Sequence, residues 1–175
     1  PDAPAAATNY HIFQRNAGRV QMANIAQMVN VLQAMILTDG PKMALTPTYY
    51  AFLLYQPFQG ATALPVAASV PDYVAGSSRM PAIDISAAKD ETGAIHIGIV
   101  NVDPDEVAEV QLALDDFDGR RIEGQVLTAA RMDSRNAIGK TAEVAPATFA
   151  KVQWRGGKLI VEVPAKSIVR LTLRR

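Results

Sequence analysis

The 175 residues are 49% hydrophobic and carry 17 basic against 17 acidic side chains, a formal net charge of zero at pH 7. That is enough apolar chain for one good core or two small ones, while a neutral balance without a basic tract gives nucleic acid or an anionic membrane surface nothing to hold. Cysteine is absent, which excludes a disulfide framework, a thiol nucleophile and a thiolate metal site.

In chain order, PDAPAAAT reads as a small-residue leader, with no charged region followed by an apolar one to mark a secretory signal. NYHIFQRNAG predicts a short helix with Tyr10, Phe13 and Ala17 on one face and Gly18 ending it. RVQMA predicts a brief buried strand, Val20 and Met22 pointing the same way. NIAQMVNVLQAMI has helical spacing in Ile25, Met28, Val29, Leu32 and Ile36, with a strand as the alternative, and Asn30 and Gln33 interrupt it before it could cross a bilayer. TPTYYAFLLYQPF is a clearer helix: Thr46 caps it, Pro47 fits its first turn, Tyr50, Leu53 and Leu54 pack on the core, and Pro57 stops it.

A change of character follows. No glutamate precedes Glu91, and the first 70 residues hold only Asp2 and Asp39. From about Gly60 onward the chain is studded with carboxylates and period-two runs: ATALPVAAS, PAIDISAAKD, AIHIGIVNVD, AEVQLALDD, EGQVLTAARM, AKVQW, LIVEVP and SIVRLTLR. Alternation is clearest in Ile95, Ile97, Ile99, in Val110, Leu112, Leu114 and in Leu159, Val161, Val163, predicting strands with one wet and one dry face. With turns at DETG, DFDG and RGG, the expected architecture is mainly β, an antiparallel, jelly-roll-like β-sandwich over residues 60–175, preceded by an α/β remnant over residues 1–59.

Chemistry is sparse. His11 and His96 stand apart without spaced carboxylates, so packing or surface roles are expected and neither a metal site nor a cofactor is predicted. Aligning Gly119 of DDFDG with a calcium-loop glycine puts Leu114 at the first ligand position and Gln125 at the last, so the pattern reads as a hairpin turn. NVDPDE reads as a turn as well. The chain contains no GxGxxG, GxxxxGK or GxSxG, and no pair of carboxylates suited to glycosidase chemistry stands out, so no catalytic residue is assigned. What demands explanation is a set of amides, Asn24, Gln27, Asn30 and Gln33, within an otherwise oily stretch. Burying an unpaired amide costs roughly 1 to 3 kcal/mol, so each needs a partner or a purpose.

FQRNAGRVQMANIAQMVNVLQAMILTDGPKMALTPTYYAF, followed in order by the VLTAAR and VEVPAKSIV signatures, resembles the C-terminal part of a bacterial alpha-L-arabinofuranosidase of glycoside hydrolase family 51. The resemblance runs from Asn9 to Arg170 and implies that RVQMA is the eighth strand of a (β/α)8 barrel, PTYYAFLLYQ its eighth helix and NYHIFQRNAG the end of the seventh. It implies a retaining hydrolase that removes terminal alpha-L-arabinofuranosyl groups from arabinose-containing oligosaccharides and polysaccharides. Its acid/base and nucleophile glutamates would lie upstream of this chain, which alone would be inactive. The resemblance also makes Gln27 a substrate-binding residue, a neutral amide able to orient a hydroxyl. The resemblance implies a cytoplasmic location, and a homo-oligomer is expected as the way to bury the apolar surface that a missing barrel would leave. Two departures stand out: RNAGRV where the family reads close to RHADRV, and AIGKTAEV after MDSRN where a proline-containing turn is usual. The alternative from a different class is a carbohydrate-binding sandwich using Tyr49, Tyr50, Tyr55, Tyr73 or Trp154 as a stacking platform. If the barrel reading holds, apolar surface should be exposed around Met28, Val31, Leu32, Leu53 and Leu54.

Overall fold

The structure is a computed structural model describing residues 1–115, 117, 119 and 121–175. Along the chain it contains helix α1 (Asp2–Arg15), strands β1 (Ile36–Asp39) and β2 (Lys42–Leu45), helix α2 (Pro47–Tyr55) and a single 3-10 turn, Gln56–Phe58. Strands β3 (Thr62–Leu64), β4 (Asp72–Ala75), β5 (Ser78–Pro81), β6 (Ile83–Lys89), β7 (Ile95–Asn101) and β8 (Ala108–Leu112) follow. The last are β9 (Arg121–Leu127), β10 (Ala147–Thr148), β11 (Val152–Arg155), β12 (Lys158–Val163) and β13 (Ser167–Arg174).

Two antiparallel sheets form the body: six strands in the order β10-β9-β13-β7-β6-β3, and three in the order β11-β12-β8. Ile83, Ile85, Ile97, Ile99, Val169, Leu171 and Leu173 of the larger sheet meet Val110, Leu159, Val161 and Val163 of the smaller in one apolar cluster. The predicted sandwich is thus present, with turns at Asp90–Gly93 and Gly156–Gly157 where DETG and RGG place them.

The larger sheet has no wet face at its centre. Its other side carries Ala88, Val100, Leu127 and Ile168, which pack against Ala3 and Ala7 of α1, Ala51, Leu54 and Tyr55 of α2, and Phe58. Strand β7 is therefore buried on both faces, and the alternation of Ile95, Ile97 and Ile99 with His96, Gly98 and Val100 separates two interiors, correcting the wet-and-dry reading. A central strand covered on both sides loses the polar half of its pattern.

The leader is also corrected: PDAPAAAT is the first half of α1, since Pro4 sits in the first turn where no intrahelical N–H is needed. Helix α2 matches its sequence signals. Thr46 Oγ1 accepts from the Tyr49 N–H at 3.4 Å, Pro47 opens the helix, and Leu54 is fully buried, whereas Leu53 is exposed. A short hairpin, β4–β5, was not foreseen at all.

Two buried asparagines close the loops. Asn101 Nδ2 donates to the carbonyls of Glu106 (2.9 Å) and Pro164 (3.1 Å), and its Oδ1 accepts the Asp103 N–H at 3.0 Å. Asn101→Ala leaves these groups unpaired in a site that is nearly inaccessible to water, and urea unfolding should show a loss of about 2 kcal/mol. The Asp103 carboxylate accepts the N–H groups of Asp105 and Glu106, so NVDPDE closes on itself as a turn. Asn136 bonds the Leu45 and Val144 carbonyls and the Val144 N–H, each at 2.8 or 2.9 Å. Those bonds fix the unusual AIGKTAEV segment without the expected proline turn. Asp116 and Asp118 of DDFDG, and with them the hairpin turn expected there, lie outside the described residues.

Candidate functional site

Between α1 and α2 the chain forms an irregular loop, and the amides lie in it. Helix α1 ends at Arg15 and is capped by Asn16, short of the expected stop at Gly18, and the Asn16 carbonyl accepts the N–H groups of Arg19 and Val20 at 2.9 Å. RVQMA then runs without regular structure, and Met22 is 78% exposed, which corrects the buried-strand reading. A strand forms when its backbone groups find a partner strand, and none pairs with residues 20–24 among the described residues. NIAQMVNVLQAMI is neither the predicted helix nor a full strand; only its end enters β1, where Val29 bridges Ile36 in parallel.

Three of the four amides adopt left-handed backbone: Gln27 at φ 49°, Asn30 at φ 55° and Gln33 at φ 60°. Asparagine tolerates this region; glutamine has no local hydrogen bond that rewards it. Hydrogen bonds around them hold the loop down. The Met28 carbonyl accepts from the N–H groups of Met35 and Ile36 at 3.1 Å, Asn30 N–H donates to the Ile36 carbonyl, and Thr46 Oγ1 donates to the Ala34 carbonyl at 2.7 Å. Asn30 spends its side chain on Thr38, whereas Gln27 and Gln33 are exposed and make no side-chain hydrogen bond among the described residues. Around Gln27 lie apolar side chains open to solvent: Met28 is 57% exposed and Leu32 94%. The expected exposure around Met28, Leu32 and Leu53 is present; Val31 is half-buried and Leu54 wholly buried, because it faces the sheet.

Sequence reasoning missed the polar node beneath α1. His11, fully buried, has Nε2 2.5 Å from the Tyr55 hydroxyl and Nδ1 3.1 Å from Asp84 Oδ2, while Arg15 reaches Asp84 Oδ1 at 2.6 Å. Burial pushes the imidazole pKa down against the pull of Asp84; burial pushes the Asp84 carboxyl up, but His11 and Arg15 outweigh it and hold it below the usual range. Burial also drives the Tyr55 hydroxyl well above its ordinary value. A neutral His11 with its proton on Nδ1, facing Asp84, then accepts a hydrogen bond from the Tyr55 hydroxyl at Nε2, so that its ring links α1 to α2 beside β6. Gly98, alone among the isoleucines of IHIGIV, was the available signal: an isolated glycine in a strand marks a close approach.

His96 is a packing residue too. Its ring bonds Thr172 Oγ1 at 3.0 Å and Asp90 Oδ2 at 2.9 Å. The Thr92 hydroxyl first, then His96 and the N–H groups of Ala94 and Thr92, outweigh burial and hold the Asp90 carboxyl well below the usual carboxylate range. Its folded-state pKa is depressed, so its contribution is complete above about pH 4 and is lost as the pH falls further. Thermal unfolding from pH 5 to pH 2 should therefore show a steeper fall in Tm for the parent chain than for Asp90→Asn.

Each histidine thus has one carboxylate and other partners, and no group of three His, Cys, Asp or Glu side chains suited to a metal occurs among the described residues. No described helix is long and apolar enough to cross a membrane. Of the five aromatics that could form a sugar platform, Tyr49 and Tyr50 meet edge-on at 83° and Tyr55 is buried, while Tyr73 is half-buried and Trp154 is exposed on β11.

Fold and site define a class, the antiparallel β-sandwich domain backed by two helices and carrying an amide-bearing apolar loop. Residues 1–167 match the model of the alpha-L-arabinofuranosidase C-terminal domain, and the chain belongs to that family. It is 41% identical over 174 residues to an intracellular exo-alpha-L-arabinofuranosidase of Bacteroides ovatus, covering 99% of this chain and 34% of the relative. The family 51 arabinofuranosidase from Xanthomonas axonopodis pv. citri superposes with a TM-score of 0.95 at 45% identity, over 98% of this chain and 35% of that one. A thermostable family 51 enzyme from Thermotoga petrophila superposes at 0.85 with 19% identity over 98% of this chain and 38% of that one, which shows the common fold. The chain therefore spans about one third of the length of these relatives.

Proposed function

We propose that this chain is the C-terminal part of a longer retaining alpha-L-arabinofuranosidase that removes terminal arabinofuranosyl groups from arabinose-containing oligosaccharides and polysaccharides. Residues 1–59 complete the catalytic barrel, residues 60–175 form the accessory sandwich, and the catalytic glutamates come from the remainder of the enzyme. Gln27 contributes a substrate-positioning amide. The observation that carries this reading is the loop itself: a strained, solvent-open glutamine amid exposed methionines and leucines suits a surface meant to be covered by a neighbouring domain. A barrel assembles its active site from the ends of several strands, so this chain alone has no turnover. The name of the Bacteroides relative supports action inside the cell.

The test is hydrolysis of a chromogenic alpha-L-arabinofuranoside by the longer polypeptide and by these 175 residues. Turnover by the former alone is expected; turnover by the chain alone would overturn the assignment of its chemistry to other segments. Alone, the chain should also self-associate and bind a hydrophobic dye through the Met22, Met28 and Leu32 surface. Sedimentation as a compact monomer that leaves the dye dark would sink that expectation.

A further inference from the structure

Of the three left-handed amides, one is spoken for. Asn30 Oδ1 accepts the Thr38 N–H at 2.7 Å, and its Nδ2 donates to Thr38 Oγ1 at 2.8 Å. Thr38 lies in β1, whose one side is paired with β2 through Ile36–Leu45, Leu37–Ala44, Thr38–Met43 and Asp39–Lys42. On the other side the ladder has, among the described residues, a single backbone rung, the parallel bridge from Val29 to Ile36. The Asn30 carboxamide supplies the next rung: its Oδ1 takes the Thr38 N–H in place of a backbone carbonyl, while its Nδ2 donates to the Thr38 hydroxyl. The turn that begins at Gln27 is thereby tied to a paired strand at two successive points.

We infer that Asn30 is a positioning residue for Gln27, its carboxamide clamping to Thr38 the turn that holds Gln27 in left-handed backbone. The inference rests on the substrate-positioning reading of Gln27. Gln27 has no hydrogen bond of its own among the described residues, so its conformation is imposed from positions 28 and 30. Freed from the clamp, the turn can relax toward ordinary φ values, and the amide at position 27 swings away from the place the enzyme needs it. The Asn30 amide has both ends engaged on Thr38, whereas both ends of the Gln27 amide are open to solvent. Gln27 is available, and the difference between two residues of the same chemistry is where their hydrogen bonds go.

The experiment is a double-mutant cycle in the longer polypeptide, read as kcat/KM on 4-nitrophenyl alpha-L-arabinofuranoside. Asn30→Gly removes the clamp without adding left-handed strain and should lower kcat/KM about tenfold, whereas Asn30→Asp, whose two oxygens accept both the N–H and the hydroxyl of Thr38, should stay within about twofold of the parent. In a Gln27→Ala background, Asn30→Gly should cost less than about twofold, because the group it positions is gone. An equal tenfold loss in both backgrounds would overturn the inference, since Asn30 would then act on the fold at large. Thr38→Val, which removes the hydroxyl but keeps the N–H, should show an intermediate loss and the same dependence on Gln27; a loss independent of Gln27 would count against the clamp. If the unsubstituted polypeptide has no turnover, the enzyme reading itself fails. Turnover in the parent with no loss in any Asn30 variant fails this inference alone.

Discussion

Gly98→Ala should destabilise the chain by about 3 kcal/mol, seen as a Tm lower by roughly 6 to 12 °C. A Cβ added at Gly98 would lie 2.7 Å from the Tyr55 hydroxyl and 2.9 Å from His11 Nε2. Neither atom is the free end of a flexible side chain. His11 is fully buried and in contact with Asp84, and Tyr55 packs its ring against Tyr10 and Phe58 at centroid distances of 5.1 Å. The methyl group must therefore push both helices off β7, and the bond between His11 and Tyr55 opens as they go. Tyr55→Phe by itself removes that hydrogen bond and should cost about 1 kcal/mol. Combined with Gly98→Ala it should cost less than the two together, because the hydroxyl that the methyl strikes is absent. Strict additivity would mean that the helices do not meet the sheet through this contact.

The same node shows why the fold was partly legible in the sequence. Ile97, Ile99, Val161, Val163 and Leu159 announce strands because each follows a period-two pattern with apolar residues on at least one face. The sequence does not announce that His96, Gly98 and Val100 are buried as well, since what covers them comes from helices some forty residues or more upstream. His11, Asp84 and Tyr55 meet only through that packing, and no local pattern pairs them. Thr46 and Pro47 marked the start of α2 because capping is a local interaction. Residues 20–35 mislead for the opposite reason: their apolar spacing suits burial against something, yet Met22 and Leu32 are exposed. Gln27 was named through resemblance, while Asn30 looked like any other amide in the run. Only the backbone torsions and the Thr38 contacts separate the two.

That separation leads to the sharpest expectation for Gln27, which is that activity falls while stability does not. A non-glycine residue in the left-handed region carries a conformational cost of roughly 1 to 2 kcal/mol, and glycine adopts the same φ freely. Glycine also loses more entropy on folding, so Gln27→Gly should leave Tm unchanged or raise stability by up to about 1 kcal/mol. On the proposed reading it removes the positioning amide, and kcat/KM of the longer polypeptide on an alpha-L-arabinofuranoside should fall about a hundredfold. A residue kept in strained backbone for packing would give the reverse, a loss of stability with activity following it down. The Gln27 side chain is exposed and makes no hydrogen bond among the described residues, and the loop is secured through Met28, Asn30 and Thr46 instead. Activity within twofold of the parent would remove Gln27 from the active site. A lowered Tm would make it part of the scaffold, whereas a stable protein that has lost its activity would show that the strain is retained for the substrate.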